Sequence, residues 1–250
     1  MRRIAVSLSK GGVGKTTTAV NLGAGLARAG YRVLLVDSDT QAQAGSMLGV
    51  RKEGGLSGLV SGQLQPLEAI HQARERLWLL TGGSSLAGLK RLISQKEFGG
   101  ERTLAESLAK VDGHYDYILL DSAPGWDSLT VNVLFYATEI LAPVSLEVLT
   151  LQGLLQFVQR LQAIQQYNRE LQLRYVLPTF LDRRVRKSEE ILKQLQAHFG
   201  QQLCSPIRYN VRLSEAPGYG QTIFEYAPGS PGAEDYQRLT ERIMEDGSTR

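Results

Sequence analysis

Residues 9–17 read SKGGVGKTT, a glycine-rich stretch in which two lysines stand five positions apart. The apolar run before it, 2–8, predicts a buried strand, and the pattern over 16–29 predicts an amphipathic helix. A glycine turn between a strand and a helix N-terminus presents several backbone N–H groups to an anion. The stretch therefore predicts a phosphate-binding loop.

The side chains of this loop suit a nucleoside triphosphate with its metal ion. Glycines let the backbone approach phosphate oxygens without a clash at Cβ. Lys15 supplies positive charge to the β- and γ-phosphates, and Thr16 offers a hydroxyl to Mg²⁺. The alternative is an ordinary glycine turn without a ligand. The predicted nucleotide-binding residues of the loop are Lys10, Gly11, Gly12, Val13, Gly14, Lys15, Thr16 and Thr17.

Two further apolar runs end in carboxylates. The run 31–37 ends in Asp37-Ser38-Asp39, and the run 115–121 ends in Asp121. A strand that ends in an acid is typical of the magnesium-binding strand of phosphoryl-transfer folds, so we expect these acids near the γ-phosphate. The alternative for Asp37 and Asp39 is that they only cap the next segment.

The loop departs from the usual G-x-x-x-x-G-K-[ST] form, because Ser9 occupies the first glycine position and Lys10 follows it. The resulting K-G-G-x-G-K-T loop resembles the deviant loop of the ParA/MinD family of dimerising ATPases. The similarity continues in YNVRLSEAPG (209–218) and APGSPGAEDY (227–236), and it is greatest with the short Soj-like ParA branch. Thr40-Gln41 and Pro124-Gly125 depart from the family, which usually has Pro-Gln and two prolines there.

The resemblance implies an ATPase that uses ATP and Mg²⁺. Asp39 would hold the attacking water, and Lys10 would reach across a subunit interface to a second nucleotide. Lys10, Lys15 and Asp39 are thus the predicted catalytic residues, and Thr16, Asp37 and Asp121 the predicted metal site. The family builds its adenine wall from two later loops, for which the predicted contacts are Asp182, Pro206 and Asn210.

Strand and helix patterns alternate along the chain, which predicts an α/β fold with a doubly wound, mainly parallel sheet flanked by helices. The nucleotide would then lie at the carboxyl ends of the strands. Because no linker interrupts the pattern, we expect residues 1–250 to form a single domain. The predicted strands are 2–8, 31–37, 76–81, 115–121, 139–146 and 173–180, and the predicted helices are 16–29, 85–110, 128–138, 150–168 and 187–199.

Positive charge is concentrated late in the chain, although the formal net charge is only +3. The resemblance implies that such residues grip duplex DNA without reading its sequence, in a homodimer formed with ATP. The alternative is a solvated helix face in which these residues neighbour Glu189 and Glu190. The predicted DNA-binding residues are Arg183, Arg184, Arg186, Lys187, Arg208 and Arg212.

The remaining features bear on location and partners. Met-Arg-Arg leads directly into the first strand and no apolar run has transmembrane length, so we expect a cytoplasmic, nucleoid-associated protein without a membrane partner. The C-terminal ERIMEDGSTR lacks the basic amphipathic character of the MinD branch. One cysteine and three scattered histidines indicate no metal besides magnesium.

The resemblance implies a ParA-type function: positioning or segregation of a chromosome, plasmid or protein assembly, with a ParB-like adaptor that stimulates hydrolysis. Two alternatives remain open. One is a MinD-like membrane-positioning ATPase, and the other is a metabolic or assembly ATPase on the same fold.

Overall fold

A seven-stranded sheet in the order β3-β4-β2-β5-β1-β6-β7 forms the centre of the structure. This computed structural model describes residues 1–182 and 184–248. Neighbouring strands run parallel except for β3 and β4, which are antiparallel. The predicted doubly wound α/β fold is therefore confirmed. The strands are β1 (Arg2–Val6), β2 (Val33–Asp37), β3 (Ile70–Arg74), β4 (Leu77–Leu80), β5 (Tyr117–Asp121), β6 (Glu139–Ser145) and β7 (Gln172–Thr179).

Helices cover both faces of the sheet, because its central strands β2 and β5 bury every residue and so need apolar cover on each side. One core contains residues of α3 to α9 and the other contains residues of α1, α2, α11 and α12. The helices are α1 (Lys15–Arg28), α2 (Gln43–Met47), α3 (Gly55–Ser61), α4 (Pro66–Ala69), α5 (Leu86–Gln95), α6 (Thr103–Leu108), α7 (Ser128–Tyr136), α8 (Val148–Gln165), α9 (Arg186–Phe199), α10 (Val211–Glu215), α11 (Ile223–Tyr226) and α12 (Pro231–Ser248).

The predicted helix over 85–110 is wrong in its length. It is divided into α5 and α6, because Lys96 is extended and Gly99 adopts φ 71°, a left-handed conformation that ends the helical path. Gly100 then passes so close to the carbonyl of Ile93 that a Cβ would lie 2.7 Å from its oxygen. The glycine pair therefore serves as a tight turn between two helices.

The edge strand β3 was not predicted from the sequence. Its residues, IHQAR, are half-buried or exposed, so they lack the apolar run that marks the central strands. Hydrogen bonds to β4 in antiparallel register define this strand instead. Its last residue, Arg74, reaches across to α2 and to the turn before α11.

Parallel topology brings the segments that follow β1, β2 and β5 to one edge of the sheet. Val6 of β1 and Asp37 of β2 are each paired with Asp121 of β5. The glycine loop, the Asp37–Asp39 segment and the segment after Asp121 therefore leave the sheet side by side. This arrangement is the expected place for a ligand in an open α/β sheet.

Candidate nucleotide site

A cavity of about 640 Å³ opens at this edge of the sheet. Its floor is the glycine loop, and its walls come from the ends of β2, β5 and β7, from α2 and from the segment 207–217. Six of the eight predicted loop residues line it: Gly11, Gly12, Gly14, Lys15, Thr16 and Thr17. Val13 is instead buried in the core, where its carbonyl accepts a hydrogen bond from the Thr179 hydroxyl (3.0 Å).

The backbone of the loop is shaped for an anion. Gly14 precedes α1 with φ 85°, a left-handed conformation that strongly favours glycine, and Gly12 has φ 71°. Among the residues that the structure describes, no side chain caps the start of α1, so the first-turn N–H groups remain available to phosphate oxygens. A helix N-terminus of this kind favours negative charge through its dipole.

Lys15 brings a buried positive charge to the cavity. Only 6% of the residue is exposed, and its ammonium donates a hydrogen bond to the carbonyl of Lys10 (2.7 Å). Burial lowers the pKa of Lys15, while the carboxylates of Asp121 and Asp39 act in the opposite direction. Among the described residues no carboxylate forms a direct ion pair with this ammonium, so it can bind phosphate without first breaking one.

Asp121 is the clearest sign of a cation site. It is 1% exposed, and within the described part of the chain neither of its carboxylate oxygens accepts a hydrogen bond of normal geometry. Burial, followed by the nearby Asp37, raises the pKa of Asp121 well above its ordinary value, although the adjacent Thr16 hydroxyl acts in the opposite direction. A buried carboxylate without partners is costly unless a cation or a metal-bound water satisfies it. Together with the Thr16 hydroxyl, these oxygen ligands fit Mg²⁺.

Asp37 and Asp39 hold the segment between β2 and α2. The carboxylate of Asp37 accepts hydrogen bonds from the N–H groups of Asp39 (2.9 Å) and Ala44 (3.1 Å). Burial raises the pKa of Asp37 to about 6, although these two hydrogen bonds lower it. Asp39 lines the cavity and accepts from the N–H of Gln41 (3.0 Å). The capping alternative therefore describes Asp37 well, whereas Asp39 also faces the ligand space.

Lys10 lies outside the lining of the cavity. Its ammonium donates to the hydroxyl of Thr150 (2.6 Å) and pairs with Glu147 (3.1 Å), at the beginning of α8. The two lysines of the loop are thus directed to different places. Lys15 serves the cavity of its own chain, and Lys10 is held near the surface beside α8.

Asn210 is the predicted base contact that lines the cavity. Its side-chain carbonyl caps α10 by accepting from the N–H of Arg212 (2.9 Å), while its buried amide Nδ2 has no partner within the described residues. The lining on this side otherwise comes from residues that the sequence did not single out, above all Phe180. Phe180 adopts φ 57°, which is rare for an aromatic residue, and its ring lies against Gly14.

Asp182 and Pro206, the other two predicted base contacts, do not line the cavity. The carboxylate of Asp182 is held by the guanidinium of Arg184 (2.7 Å), which lowers the pKa of Asp182 to about 2. Phe180 and Ile207 occupy the cavity wall nearest to these positions. The sequence could indicate the two loops but not which residue of each loop turns inward.

The predicted DNA-binding residues have different surroundings, and Arg183 lies outside the described residues. Arg208 is held by the buried Asp235 (2.8 Å) and by Glu234 (2.8 Å), so its charge is largely neutralised. Arg184 and Arg212 each pair with one carboxylate on the surface. Arg186 and Lys187 are exposed in the first turn of α9, and no ion pair within the described residues engages them.

Several lining residues carry no motif that sequence reasoning could use. Gln43, Ser46 and Met47 come from the short helix α2, and Tyr236 comes from α12. Tyr236 is buried and its hydroxyl lies 3.2 Å from that of Thr18, which fixes α12 against α1. These residues line the cavity because segments that are distant in the sequence pack together, which only the folded structure reveals.

Comparison with known proteins fits this geometry. Residues 1–173 match the family model described as an AAA domain. The chain is 42% identical over 246 residues to the chromosome-partitioning ATPase Soj of Thermus thermophilus, covering 98% of this chain and 96% of that one. It belongs to the ParA/MinD family of ATPases. It is also 36% identical to the sporulation initiation inhibitor protein Soj of Bacillus subtilis, with 98% of each chain covered.

Among solved structures, cobyrinic acid a,c-diamide synthase of Mycobacterium smegmatis with bound ADP and magnesium has a TM-score of 0.83 and 30% identity, covering 98% of this chain and 94% of that one. The protein is thus an ATPase of the P-loop type whose cofactors are ATP and Mg²⁺. The P-loop residues and Asp121 are the groups that fit them. Within residues 1–182 and 184–248, no helix has the length and apolar character needed to cross a bilayer.

Replacement of Asp121 tests the metal site. In Asp121→Asn, we expect the contribution of Mg²⁺ to ATP affinity to fall by about 10–100-fold, the usual effect of losing an outer-shell metal partner. The nucleotide-free protein should melt at an equal or higher temperature, because the change removes an unpaired buried carboxylate. Fluorescent-ATP titrations with and without Mg²⁺, together with thermal melts, measure both effects.

The matched control is Asp116→Asn, which removes a carboxylate paired with Arg32 (2.8 Å) at the opposite end of the strands. It should leave the Mg²⁺ effect unchanged. Equal Mg²⁺ dependence in Asp121→Asn and in the unmodified protein would remove Asp121 from the metal site.

Proposed function

We propose that this protein is a ParA-type ATPase that forms an ATP-dependent sandwich dimer, binds duplex DNA without sequence preference and positions or segregates a cargo through partner-stimulated hydrolysis. The observation that carries the proposal is that the two lysine side chains of the loop point to different places. Lys15 lies inside the cavity and Lys10 outside it. A lysine of the phosphate loop that does not face its own cavity is available for the nucleotide of a second subunit.

The triphosphate would control dimerisation electrostatically. Lys10 has to leave Thr150 and Glu147 before it can reach a partner's nucleotide, and Glu147 is an exposed surface carboxylate. A surface ion pair of this kind contributes little stability. The concentrated charge of a triphosphate in a water-poor interface attracts the same ammonium more strongly. Loss of the γ-phosphate on hydrolysis would weaken this attraction and release the partner.

Asp39 would hold the attacking water at the γ-phosphate. It lines the cavity, and the hydrogen bond from Gln41 fixes its carboxylate. In phosphoryl transfer the protein contributes mainly by positioning groups and stabilising charge. Here the main sources of positive charge would be Lys15 and the Mg²⁺ that Thr16 and Asp121 would hold. A site that lacks a strong base turns over slowly, which leaves room for an adaptor that orders the surrounding loops.

The proposed DNA surface is centred on the beginning of α9. Arg186 and Lys187 are exposed there without carboxylate partners in the described residues, and Arg184 precedes them. Arg212 can contribute only by exchanging Glu215 for phosphate, and Arg208 is better placed to hold α12 through Asp235. A dimer would carry Arg186 and Lys187, here called the α9 cluster, twice. The two copies would give a continuous basic strip suited to DNA phosphates. Such binding would place the protein on the nucleoid.

Two other functions are less well supported. In a MinD-like role a terminal helix would contact the membrane, but Tyr236, Leu239 and Ile243 of α12 are buried against the rest of the protein. A metabolic role is favoured by the 30% identity to the Mycobacterium smegmatis synthase. The higher identity to the Thermus thermophilus Soj, over nearly the whole of both chains, favours partitioning.

Replacement of Lys10 tests the dimer. Lys10→Ala should bind ATP with unchanged affinity, because the side chain lies outside the cavity. Its ATP-dependent dimer should dissociate at least about 30-fold more readily, since removing one member of a desolvated charge pair costs roughly 2–5 kcal/mol. Light scattering after size exclusion and fluorescent-ATP titration separate the two effects. Lys110→Ala, an exposed lysine elsewhere, is the control, and normal dimerisation of Lys10→Ala would contradict the proposed role.

A double replacement tests the DNA surface. Arg186→Ala with Lys187→Ala should weaken ATP-dependent binding of a random duplex. It should also reduce the slope of log affinity against log salt by about 0.9 for each phosphate that the variant no longer neutralises. The charge-matched control is Arg91→Ala with Lys110→Ala, both exposed residues of other segments. Equal slopes in the two double variants would leave the α9 cluster as a solvated helix face.

A further inference from the structure

Arg74 at the end of β3 joins three segments that are far apart in sequence. Its guanidinium donates to the carbonyl of Leu48 at the end of α2 (3.0 Å) and to the carbonyl of Gly220 (2.7 Å), and it pairs with Glu225 of α11 (2.5 Å). Glu225 in turn accepts from the N–H of Thr222 (2.8 Å), which fixes the start of α11. One side chain thus connects α2 with the chain that leads from α10 to α11.

The same two segments also touch backbone to backbone. Gly49 and Gly220 both have left-handed conformations, with φ 71° and 63°. A Cβ at Gly220 would lie 3.1 Å from Cα and 3.3 Å from N of Gly49, so a side chain there would push the two backbones apart. Tightly packed backbones transmit displacement because neither side has flexible atoms that can absorb it.

One end of this connection faces the nucleotide. α2 begins at the Asp37 carboxylate, which accepts from the N–H of Ala44, and it is preceded by Asp39 in the cavity wall. Ser46 and Met47 of α2 line the same cavity. Leu48 and Gly49 are hydrogen-bonded to carbonyls of α2, so a ligand that displaces α2 would displace these two residues, which Arg74 and Gly220 contact.

The other end of the connection carries an arginine of the proposed DNA surface. The segment 211–220 lines the nucleotide cavity through Leu213, Ser214 and Pro217. Its Arg212 is directed to Glu215 (2.9 Å) and lies over the ring of Tyr226. The segment is thus situated between the nucleotide and the protein surface.

We propose that Arg74 is a positioning residue that couples the nucleotide site to the segment 211–220, so that the presence of the γ-phosphate sets the position of Arg212. The effect of this coupling on DNA binding rests on the proposed function. The coupling itself, measured within the protein, rests only on the contacts among Arg74, Leu48 and Gly220. Removal of Arg74 should leave nucleotide binding intact, while the response of the segment to the nucleotide becomes weaker.

The test compares Arg74→Met with Arg32→Met, which removes a surface arginine paired with Asp116 at the other end of the sheet. Hydrogen exchange is measured with Mg²⁺ and either ADP or a non-hydrolysable ATP analogue. In the unmodified protein and in Arg32→Met, the ATP analogue should slow exchange of the 211–220 amides by about tenfold relative to ADP, within the usual range of coupling energies. In Arg74→Met this difference should be markedly smaller, with only the direct effect of the nucleotide on the cavity-lining part of the segment remaining, while the loop amides of 11–17 stay protected.

A second pair of variants keeps the proposal testable if Arg74→Met does not fold. Gly220→Ala should reduce the same response, because its Cβ meets Gly49. Gly62→Ala has similar left-handed strain (φ 75°), but no atom of the described residues lies within 4 Å of its Cβ. A response unchanged in Arg74→Met and Gly220→Ala, or absent from the unmodified protein, would overturn the coupling. If the unmodified protein binds no DNA in any nucleotide state, the proposed function fails, and hydrogen exchange still decides the coupling.

Discussion

Two buried ionisable groups whose charged forms have opposite sign, the amino group of Lys15 and the carboxyl group of Asp121, determine how this site works. Both are almost inaccessible to water, and no ion pair joins them within the described residues. Removing such charges from water costs several kcal/mol each unless other groups compensate. Phosphate oxygens and a magnesium ion supply the missing partners. Mg-ATP therefore relieves an electrostatic penalty of the fold, which links nucleotide binding to the stability of the surrounding loops.

Much of the fold and of the phosphate site could be predicted from the sequence, because each depends on local patterns. Strands such as VLLVD and YILLD are apolar throughout except for their final acid, and the K-G-G-x-G-K-T loop has a fixed backbone role. The polar edge strand β3 and the break between α5 and α6 escaped prediction. The first depends on pairing with β4, and the second on a glycine turn at Gly99 within an otherwise helical pattern.

The remainder of the site could not be predicted because it is assembled from distant segments. Phe180, Met47 and Tyr236 line one cavity although they belong to three separate parts of the chain. The surroundings of the arginines also require the folded structure, since the sequence alone does not indicate that Arg208 is paired with the buried Asp235. Basic character in the sequence thus overestimates the number of arginines without carboxylate partners, which are the ones suited to the proposed DNA surface.

The proposed cycle combines these features into a single switch. In this cycle, Mg-ATP provides partners for Lys15 and Asp121 and attracts Lys10 of a second subunit. It also holds Asp39 and the following helix α2 in one position. Movement of α2 then reaches the segment 211–220 through Arg74 and the Gly49–Gly220 contact. Hydrolysis would reverse each step of this cycle, because each step depends on the presence of the γ-phosphate.

The most direct measurement is the affinity of the unmodified protein for a random DNA duplex with Mg-ATP, with Mg-ADP and without nucleotide, each at two salt concentrations. The account predicts tight binding only with ATP, and a marked loss of affinity at the higher salt concentration because phosphate contacts dominate. Binding that is equal in all three nucleotide states, or absent from all of them, would contradict the proposed switch.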